Sequence, residues 1–385
     1  MAKKSYSPVV KELIDMIAKN GWQDKFQKAL DACHALNTIE YENIKTLDDY
    51  YDWLEGCLTW VPVENKEGTA VYQAVTTFYF LLDQSPVKEL QTPIIPSKLK
   101  GNAEPQLSPL SLWMRKYVIA FGAWMDQPDS LTPEAVQSYY DSPRYNMFDY
   151  EQPEGGWKTF NQFFARRKKP GYIPVAAVTD DHIIVSPADS TNGGQWEVNG
   201  ESKVNIKGLE WSIEELLEGS EYKDDFAGGI WIHQFLNTTD YHRQHAAVGG
   251  TVLEAREIQG VVYLGVKAVP IEGDEQGRTH IVRRRLDAPD EPGYEFLQMR
   301  GLVVIQSSIG KVAILPMGMA QVSSIVVTAE KGTKLCKGDE ISYFQFGGSD
   351  IVMVFQRESN VSITAQPGVH YRTGTRIGMA YPVGE

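Results

Sequence analysis

The chain has 385 residues, of which 42% are hydrophobic and 23% charged, and its formal net charge is −13. This composition is typical of a soluble globular protein, and the negative charge argues against non-specific binding to nucleic acid or anionic lipid. We expect a soluble, cytoplasmic protein with no nucleic-acid partner and no integral membrane segment, and its oligomeric state stays open. The three cysteines follow no metal or disulfide spacing and fit reduced thiols.

Residues 1–150 are predicted to form a helical N-terminal domain. Ser7-Pro8 is a helix start and Asn20-Gly21 a helix end, and Trp22 opens a second helical pattern. Dense aromatic residues in this region are expected to pack as a helical core and not to form a ligand site. Further helices are predicted over Leu47–Leu58, Ala70–Leu82, Leu110–Trp124 and Pro133–Tyr140.

Residues 151–385 are predicted to form a β-rich catalytic domain. Short apolar runs such as "HIIVSPAD", "GGIWIHQFL" and "GVVYLGVKAV" recur between Gly and Asp turns, which indicates an antiparallel sheet. No alternating β-α-β series is present, so doubly wound and barrel α/β folds are disfavoured. The predicted fold class is α+β, with a helical N-terminal extension followed by an antiparallel β-rich domain.

Three separated stretches of the β-rich region carry reactive side chains: "VSPADSTNGG" with Asp189, "TTDYHRQHAAVGG" with His242, Arg243 and His245, and "FQFGGSDIVMVFQ" with Ser349. An acid, a histidine and a serine are the ingredients of nucleophilic catalysis. Asp189 also has an ordinary interpretation, because Asp is common in turns. The His-x-x-His spacing can hold zinc, but no suitable third ligand lies nearby, so no metal is expected.

Two adjacent glycines before a serine are unusual inside an apolar β run, where glycine marks a bulge or a close backbone approach. "GGSD" lacks the Gly-x-Ser-x-Gly turn of many serine hydrolases. The combination of "SPADS", "DYHRQHAA" and "GGSD", in this order, resembles the phosphatidylserine decarboxylase family, whose members carry "SPADG", "DYHRxHxP" and "LGST". "FNQFFARRKKPG", "VNIKGLEWSIEELL" and "KGDEISYFQFGGS" support the resemblance, which covers residues 157–360.

The resemblance implies that the chain cuts itself between Gly348 and Ser349, giving a long chain 1–348 and a short chain 349–385. Ser349 then becomes a pyruvoyl group, an electron sink that replaces pyridoxal phosphate, so neither pyridoxal phosphate nor a metal is expected. Carried over, Ser349, His245 and Asp189 are the catalytic residues: His245 activates Ser349, Asp189 orients His245, and His245 later returns a proton to the substrate. Glycine before the serine permits the contorted backbone that the attack requires.

Four further residues, His242, Arg243, Gly347 and Asp350, are predicted to line the site or contact substrate. Gly347 and Asp350 replace the family's leucine and threonine; Gly347 should loosen the backbone, and Asp350 should slow maturation or meet a substrate cation. Ser190 and Ala246-Ala247 are further departures from the family pattern.

The substrate has three open interpretations. The first is a soluble decarboxylase of a free aromatic amino acid such as L-tryptophan, because the helical extension is similar to that of soluble L-tryptophan decarboxylase-like members and no membrane anchor is evident. The alternative is a phosphatidylserine decarboxylase that makes phosphatidylethanolamine through peripheral contact with a membrane. The third is an uncleaved, non-catalytic binding protein. The basic run Arg166–Lys169 could meet lipid headgroups, but a solvated surface is the expected interpretation.

Overall fold

The computed structural model describes residues 4–96, 107–206, 208–283, 293–319, 325–346 and 348–382. Within these ranges, six helices of eight residues or more precede residue 150, and two short helices follow. The helices are α1 (Pro8–Asn20), α2 (Gln23–Ala35), α3 (Leu47–Cys57), α4 (Ala70–Leu82), α5 (Pro109–Met125), α6 (Pro133–Tyr140), α7 (Phe160–Phe164) and α8 (Ile213–Leu216).

Local capping chemistry fixes several helix ends where the sequence predicted them. Proline occupies the first turn of α1, and Gly21 ends that helix in the left-handed conformation with φ 65°, which glycine adopts at low cost. The Thr132 hydroxyl accepts a hydrogen bond from the Ala135 amide at the start of α6. Ser108 caps α5 in the same way. The predicted helices are confirmed to within two residues.

The β-rich part follows residue 180, and every paired strand is antiparallel to its neighbour. The strands are β1 (Ile183–Val185), β2 (Ser190–Glu197), β3 (Lys203–Ile206), β4 (Leu209–Ser212), β5 (Ile230–Leu236), β6 (Arg243–His245), β7 (Gly250–Ile258), β8 (Val266–Pro270), β9 (Thr279–Arg283), β10 (Arg300–Ser307), β11 (Gly310–Met319), β12 (Ile325–Val327), β13 (Lys334–Leu335), β14 (Glu340–Phe344), β15 (Gly348–Phe355), β16 (Val361–Ile363), β17 (His370–Tyr371) and β18 (Arg376–Ala380).

One large sheet organises these strands, in the order β13-β7-β10-β11-β15-β5-β2-β17. Two three-stranded sheets, β1-β18-β16 and β12-β14-β6, and the hairpins β3-β4 and β8-β9 complete the arrangement. The side chains of Ile351 to Phe355 in β15 are all buried, which explains why this strand reads as a continuous apolar run. The α+β fold class is confirmed.

The N-terminal helices pack against the segment that leads into β15. The buried ring of Phe346 lies 6.1 Å from Trp60 and 5.5 Å from Phe121, measured between ring centroids. Further inside the helical part, the rings of Phe78 and Tyr117 stack at 4.9 Å. Most of the aromatic residues of this region therefore form a packed core, as predicted. None of the described helices is long and apolar enough to cross a membrane.

Candidate active site

The peptide bond between Gly348 and Ser349 lies at the start of β15, an inner strand of the large sheet. Ser349 stands opposite Gly318 of β11 on one side and opposite Leu236 of β5 on the other. Gly347, which we predicted as a residue of the site wall, lies outside the described residues. The backbone at the predicted cleavage site is therefore flanked by a strand on each side.

The histidine-containing stretch runs beside the segment that leads to this bond. Strand β6 pairs with β14, which ends four residues before Gly348. The carbonyl oxygen of His242 accepts a hydrogen bond of 2.9 Å from the Phe344 amide. The amide of His245 donates to the carbonyl of Pro187 at 2.8 Å, and Pro187 lies two residues before Asp189. The fold thus joins the backbones of the three stretches that the sequence singled out.

Two contacts fix the imidazole of His245. Its Nδ1 atom lies 2.7 Å from the carbonyl oxygen of Gly338, and because a carbonyl only accepts hydrogen bonds, Nδ1 carries the proton. The Nε2 atom keeps its lone pair and lies 3.2 Å from the Tyr241 hydroxyl, which donates to it. Burial lowers the pKa of His245, against the opposing effects of the Gly338 bond and of nearby carboxylates. The imidazole is therefore neutral at pH 7, the form that a general base requires.

Asp189 holds a buried ion pair. One carboxylate oxygen accepts from the Thr373 amide at 2.8 Å and from the Thr373 hydroxyl at 2.9 Å, and the other lies 2.5 Å from Lys168 Nζ. Burial by itself would raise the pKa of the Asp189 carboxyl, but the Lys168 ammonium and the Thr373 hydrogen bonds prevail, so the pKa is lowered. Asp189 is ionised at neutral pH.

Asp189 and His245 are connected through other side chains. The Lys168 ammonium that pairs with Asp189 lies 4.9 Å from the centroid of the Tyr241 ring, and Tyr241 hydrogen-bonds His245. The contacts that orient the imidazole come from Gly338 and Tyr241, whereas the negative charge of Asp189 raises the pKa of His245 from a distance. The catalytic roles of these residues stay predictions.

The interpretation of Arg166–Lys169 as a solvated surface is wrong for two of its four residues. Arg166 is 2% exposed, and the Lys168 side chain is 6% exposed. Sequence reasoning also missed Thr373, which lies 184 positions from its partner Asp189. Tyr241, which contacts His245, was also missed, although the sequence places it four residues before His245 in the stretch "DYHRQH".

His242 and Arg243 have environments unlike that of His245. The His242 ring is fully buried and stacks on Phe164 with centroids 3.9 Å apart. Burial, assisted by the Arg166 charge, lowers the pKa of His242 to about 3. Arg243 donates to the Ala165 carbonyl at 2.7 Å and pairs with Glu340 at 2.8 Å. Both residues tie β6 to neighbouring segments.

Asp350, directly after the predicted cleavage serine, belongs to a buried polar cluster. His233 Nε2 lies 3.2 Å from the Asp350 carboxylate and 3.5 Å from Glu295, and the Tyr294 hydroxyl donates to Asp350. The side chains of Asp350 and Glu295 are fully buried. Within the described ranges, this is the group of His, Cys, Asp and Glu whose spacing could hold a metal ion.

Comparison with known proteins extends these observations. A family model described as "Phosphatidylserine decarboxylase" matches residues 160–379, more than half of the chain. The chain belongs to the phosphatidylserine decarboxylase family. The matched range contains Asp189, His245 and the Gly348–Ser349 bond, so the resemblance that the motifs indicated is confirmed.

Individual relatives of the family differ in how much of their length this chain matches. Phosphatidylserine decarboxylase proenzyme 3 of Schizosaccharomyces pombe is 32% identical over 63% of this chain and 23% of its own length. Phosphatidylserine decarboxylase proenzyme 2 of Oryza sativa is 31% identical over 67% of this chain and 39% of its own. Decarboxylase iboD of Amanita muscaria is 29% identical over 61% of this chain and 68% of its own. The chain thus spans less than half of the first two relatives.

The residues present suit the pyruvoyl group that characterises this decarboxylase family. A glycine precedes the serine that would become the group, and a neutral, buried imidazole lies on a strand paired with the segment leading to that serine. Strands on both sides hold the backbone on which the group would form. The conversion of this serine into a pyruvoyl group requires neither pyridoxal phosphate nor a metal.

Proposed function

We propose that the chain breaks its own Gly348–Ser349 bond and then decarboxylates the serine headgroup of phosphatidylserine. The names of the relatives from Schizosaccharomyces pombe and Oryza sativa support the substrate. The observation that carries the proposed chemistry is the neutral His245, whose Nδ1 is committed to Gly338 so that Nε2 keeps its lone pair. The names of these relatives do not support the free aromatic amino acid that we predicted first.

The self-cleavage follows from the chain's own groups. His245 Nε2 takes the proton of the Ser349 hydroxyl, and the hydroxyl oxygen attacks the carbonyl carbon of Gly348. The Gly348–Ser349 C–N bond breaks and the proton passes to the new amine, which leaves an ester. Loss of the α-proton of Ser349 expels the Gly348 carboxylate and leaves a carbon–carbon double bond; a proton then adds to the former Cβ to give an imine, and water replaces the nitrogen, which departs as ammonia. A pyruvoyl group remains at the start of residues 349–385.

The two fragments are expected to stay together after the cut. The short fragment supplies β15 to β18, and β15 lies between β11 and β5, which belong to the long fragment. Thr373 of the short fragment also holds Asp189 of the long one. After the scissile bond is broken, the pairing of these strands and the buried hydrogen bonding between Thr373 and Asp189 would still hold the two fragments together.

The mature protein would divide the reaction between the new group and its own side chains. The pyruvoyl group supplies a ketone that accepts the substrate amine and an electron sink for the charge left when carbon dioxide departs. Strands β11 and β5 keep the backbone of residue 349 in place. His245, no longer needed for cleavage, would carry a proton on Nε2 to the substrate α-carbon.

A mass measurement and an activity assay test the proposal. The denatured protein should separate into a large fragment and one of 37 residues (349–385), and Ser349→Ala should remain at 43.2 kDa and release no carbon dioxide. A wild-type chain that never cleaves would favour the non-catalytic interpretation. Carbon dioxide release from the Ser349→Ala variant would contradict the pyruvoyl chemistry.

The substrate is tested by comparing phosphatidylserine in mixed micelles with free L-serine, L-tryptophan, L-tyrosine and L-phenylalanine. We expect turnover of the lipid. A free amino acid is the second candidate, because the Amanita muscaria relative is named only as a decarboxylase and this chain matches 68% of its length. Turnover of an aromatic amino acid without turnover of lipid would establish that candidate instead.

A further inference from the structure

Phe346 is buried in the short connection between β14 and β15, two residues before the predicted cleavage bond. It is 3% exposed. Four aromatic rings surround its side chain, with centroids 5.2 to 6.1 Å from that of its own ring: Trp60, Phe121, Phe160 and Phe164. Connecting segments usually lie at the protein surface, so an enclosed ring at this place holds the chain just before Gly348.

The backbone of Phe346 is held as well. Its amide donates a hydrogen bond of 2.9 Å to Oδ1 of Asn161, a residue that is itself buried. The Nδ2 group of Asn161 donates to the Asp126 carboxylate at 2.9 Å and to the Gly122 carbonyl at 3.3 Å. A carboxylate only accepts hydrogen bonds and a backbone amide only donates them, so these partners fix which end of the Asn161 side chain faces Phe346.

Asn161 is positioned by the helical region. It belongs to α7, and the amide of Phe160 in that helix donates to the Ser130 hydroxyl at 2.9 Å. The Asp126 carboxylate that holds Asn161 directly follows α5. These contacts form a continuous path from α5 through α7 to the Phe346 amide. The four rings, Asn161 and Asp126 together form the Phe346 anchor.

Part of the Phe346 anchor lies outside the part of the chain that matches the family. The family match begins at residue 160, whereas Trp60, Phe121 and Asp126 precede it. Trp60 is fixed to α5 in turn, because its carbonyl accepts a hydrogen bond of 2.7 Å from the Trp124 indole. The helical region thus supplies part of a formed pocket for a residue of the family-matched part.

The position of the anchor matters for the proposed cleavage. The attack on the Gly348 carbonyl requires a contorted backbone, and two adjacent glycines permit such a conformation without enforcing it. On one side of the bond, β11 and β5 hold the backbone of residue 349. On the other side, the anchor holds the chain at Phe346. Restraint at both ends limits the freedom of the peptide between them, and an attack from a fixed geometry is faster than one from a freely moving chain.

We propose that the helical region positions the Gly348–Ser349 bond for self-cleavage through Phe346, whose ring it helps to enclose and whose amide it holds through Asp126 and Asn161. Phe346 and Asn161 are positioning residues in this scheme, and they transfer no proton. The inference rests on the proposed function, because it gives residues before the family match a role in that same cleavage.

The test follows self-cleavage in time. Full-length chain is made by cell-free synthesis, and denaturing gels measure the rate at which the fragment 349–385 appears. Phe346→Ala removes the ring, and Asn161→Ala removes the acceptor of the Phe346 amide. Each substitution is also placed in the Ser349→Ala background, where urea unfolding of the uncut chain shows whether the variant is folded and how much stability it has lost.

Two matched controls lie elsewhere in the helical region. Phe78→Ala removes a buried ring that stacks on Tyr117, and it should lower stability about as much as Phe346→Ala. Gln91→Ala breaks a buried side-chain hydrogen bond of 2.8 Å to the Leu82 carbonyl. Both substitutions weaken the helical region while the residues of the Phe346 anchor stay in place.

We expect Phe346→Ala and Asn161→Ala to slow self-cleavage of folded chain by about 10- to 100-fold, because a misplacement of about 1 Å can cost about 100-fold in rate. Phe78→Ala and Gln91→Ala should cut within about 2-fold of the wild-type rate, since effects at separate sites are independent. Loss of stability alone would slow all four variants in proportion to their loss of unfolding free energy.

An exchange of the two polar partners gives a sharper readout. Asn161→Asp alone places a second carboxylate against that of Asp126 and should slow cleavage. Asn161→Asp combined with Asp126→Asn restores the hydrogen bond with donor and acceptor exchanged, and a carboxylate oxygen remains for the Phe346 amide. The combined variant should therefore cut faster than Asn161→Asp alone.

A cleavage rate of Asn161→Ala equal to that of Gln91→Ala would overturn the inference, and this comparison decides if Phe346→Ala fails to fold. An exchange variant that stays as slow as Asn161→Asp would contradict it too. Neutral hydroxylamine, which cuts esters, adds a third criterion: release of the fragment 349–385 from uncut Asn161→Ala chain would place the block after the attack and rule out a positioning role.

The wild-type chain separates this inference from the proposed function. A wild type that never cuts itself would contradict the proposed function. A wild type that cuts itself, together with an Asn161→Ala variant that cuts equally fast, would contradict this inference alone.

Discussion

His242 and His245 lie three residues apart in one segment, yet their surroundings give them different chemistry. His242 is enclosed against the Phe164 ring, and burial lowers its pKa to about 3. In His245, Nδ1 donates to the Gly338 carbonyl and Nε2 accepts from the Tyr241 hydroxyl. Burial lowers the pKa of His245, and nearby carboxylates act against this shift. The environment of each ring, and not the shared motif, separates a packing residue from the residue that we propose as the base.

Removal of the base should have the largest effect. His245→Ala leaves no group to accept the Ser349 proton, so self-cleavage should slow by at least about 100-fold, the range of general-base catalysis. A denaturing gel of freshly purified protein should show an uncut chain of 43.2 kDa. His242→Ala is the matched variant and should still cut itself. Equal loss of cleavage in both variants would contradict the distinction between the two histidines.

Among the expected changes in the free energy of unfolding, the largest should come from breaking the Lys168–Asp189 ion pair. Lys168→Met leaves Asp189 buried without its cation, and breaking a buried pair costs about 3–5 kcal/mol. Urea unfolding in the Ser349→Ala background measures this on a single uncut chain. Lys116→Met, which breaks an exposed ion pair with Glu12, should cost at most about 1 kcal/mol. Similar losses of unfolding free energy in the two variants would contradict the expectation that the buried Lys168 pair contributes more to stability than the exposed Lys116 pair.

The packing role of His242 should appear as a smaller loss. His242→Ala removes a buried ring from contact with Phe164, and the cavity should lower the free energy of unfolding by about 2 kcal/mol. The same urea experiment in the Ser349→Ala background measures it. A change below about 0.5 kcal/mol would mean that His242 contributes little to packing.

The pH dependence of cleavage should be the smallest effect near neutrality. In the proposed cleavage only neutral His245 accepts the Ser349 proton, and the pKa of His245 is lowered from the ordinary value near 6.5. Chain refolded between pH 7 and pH 8 should therefore cut itself at a nearly constant rate. The rate should fall only on further acidification, as the imidazole becomes charged. A decline that begins above pH 7 would show that the pKa is raised instead.

Much of the fold was predictable because its signals are local. Pro8, Gly21 and Thr132 mark helix ends through their own backbone and hydrogen-bonding chemistry, and apolar runs between turn residues mark the strands. The catalytic candidates were predictable through short motifs that resemble a family. Their relative placement follows from strand pairing across the domain, which no local signal encodes.

The partners of the candidate residues could not be predicted in this way. Asp189 meets Lys168 and Thr373, which are 21 and 184 positions away. The basic run was interpreted as surface because four charges in sequence usually face water, whereas Arg166 and Lys168 turn inward to an aromatic cluster and a carboxylate. Gly338 carries no signal at all, because it contributes a backbone carbonyl to His245.

The most direct test of self-conversion is the mass of the fragment 349–385 after denaturation, with and without a carbonyl-reactive hydrazine. Conversion of Ser349 predicts a fragment without a free amino terminus that gains one hydrazine, and no such fragment from Ser349→Ala. An intact chain, or a fragment that begins with an ordinary serine amine and takes up no hydrazine, would contradict the account.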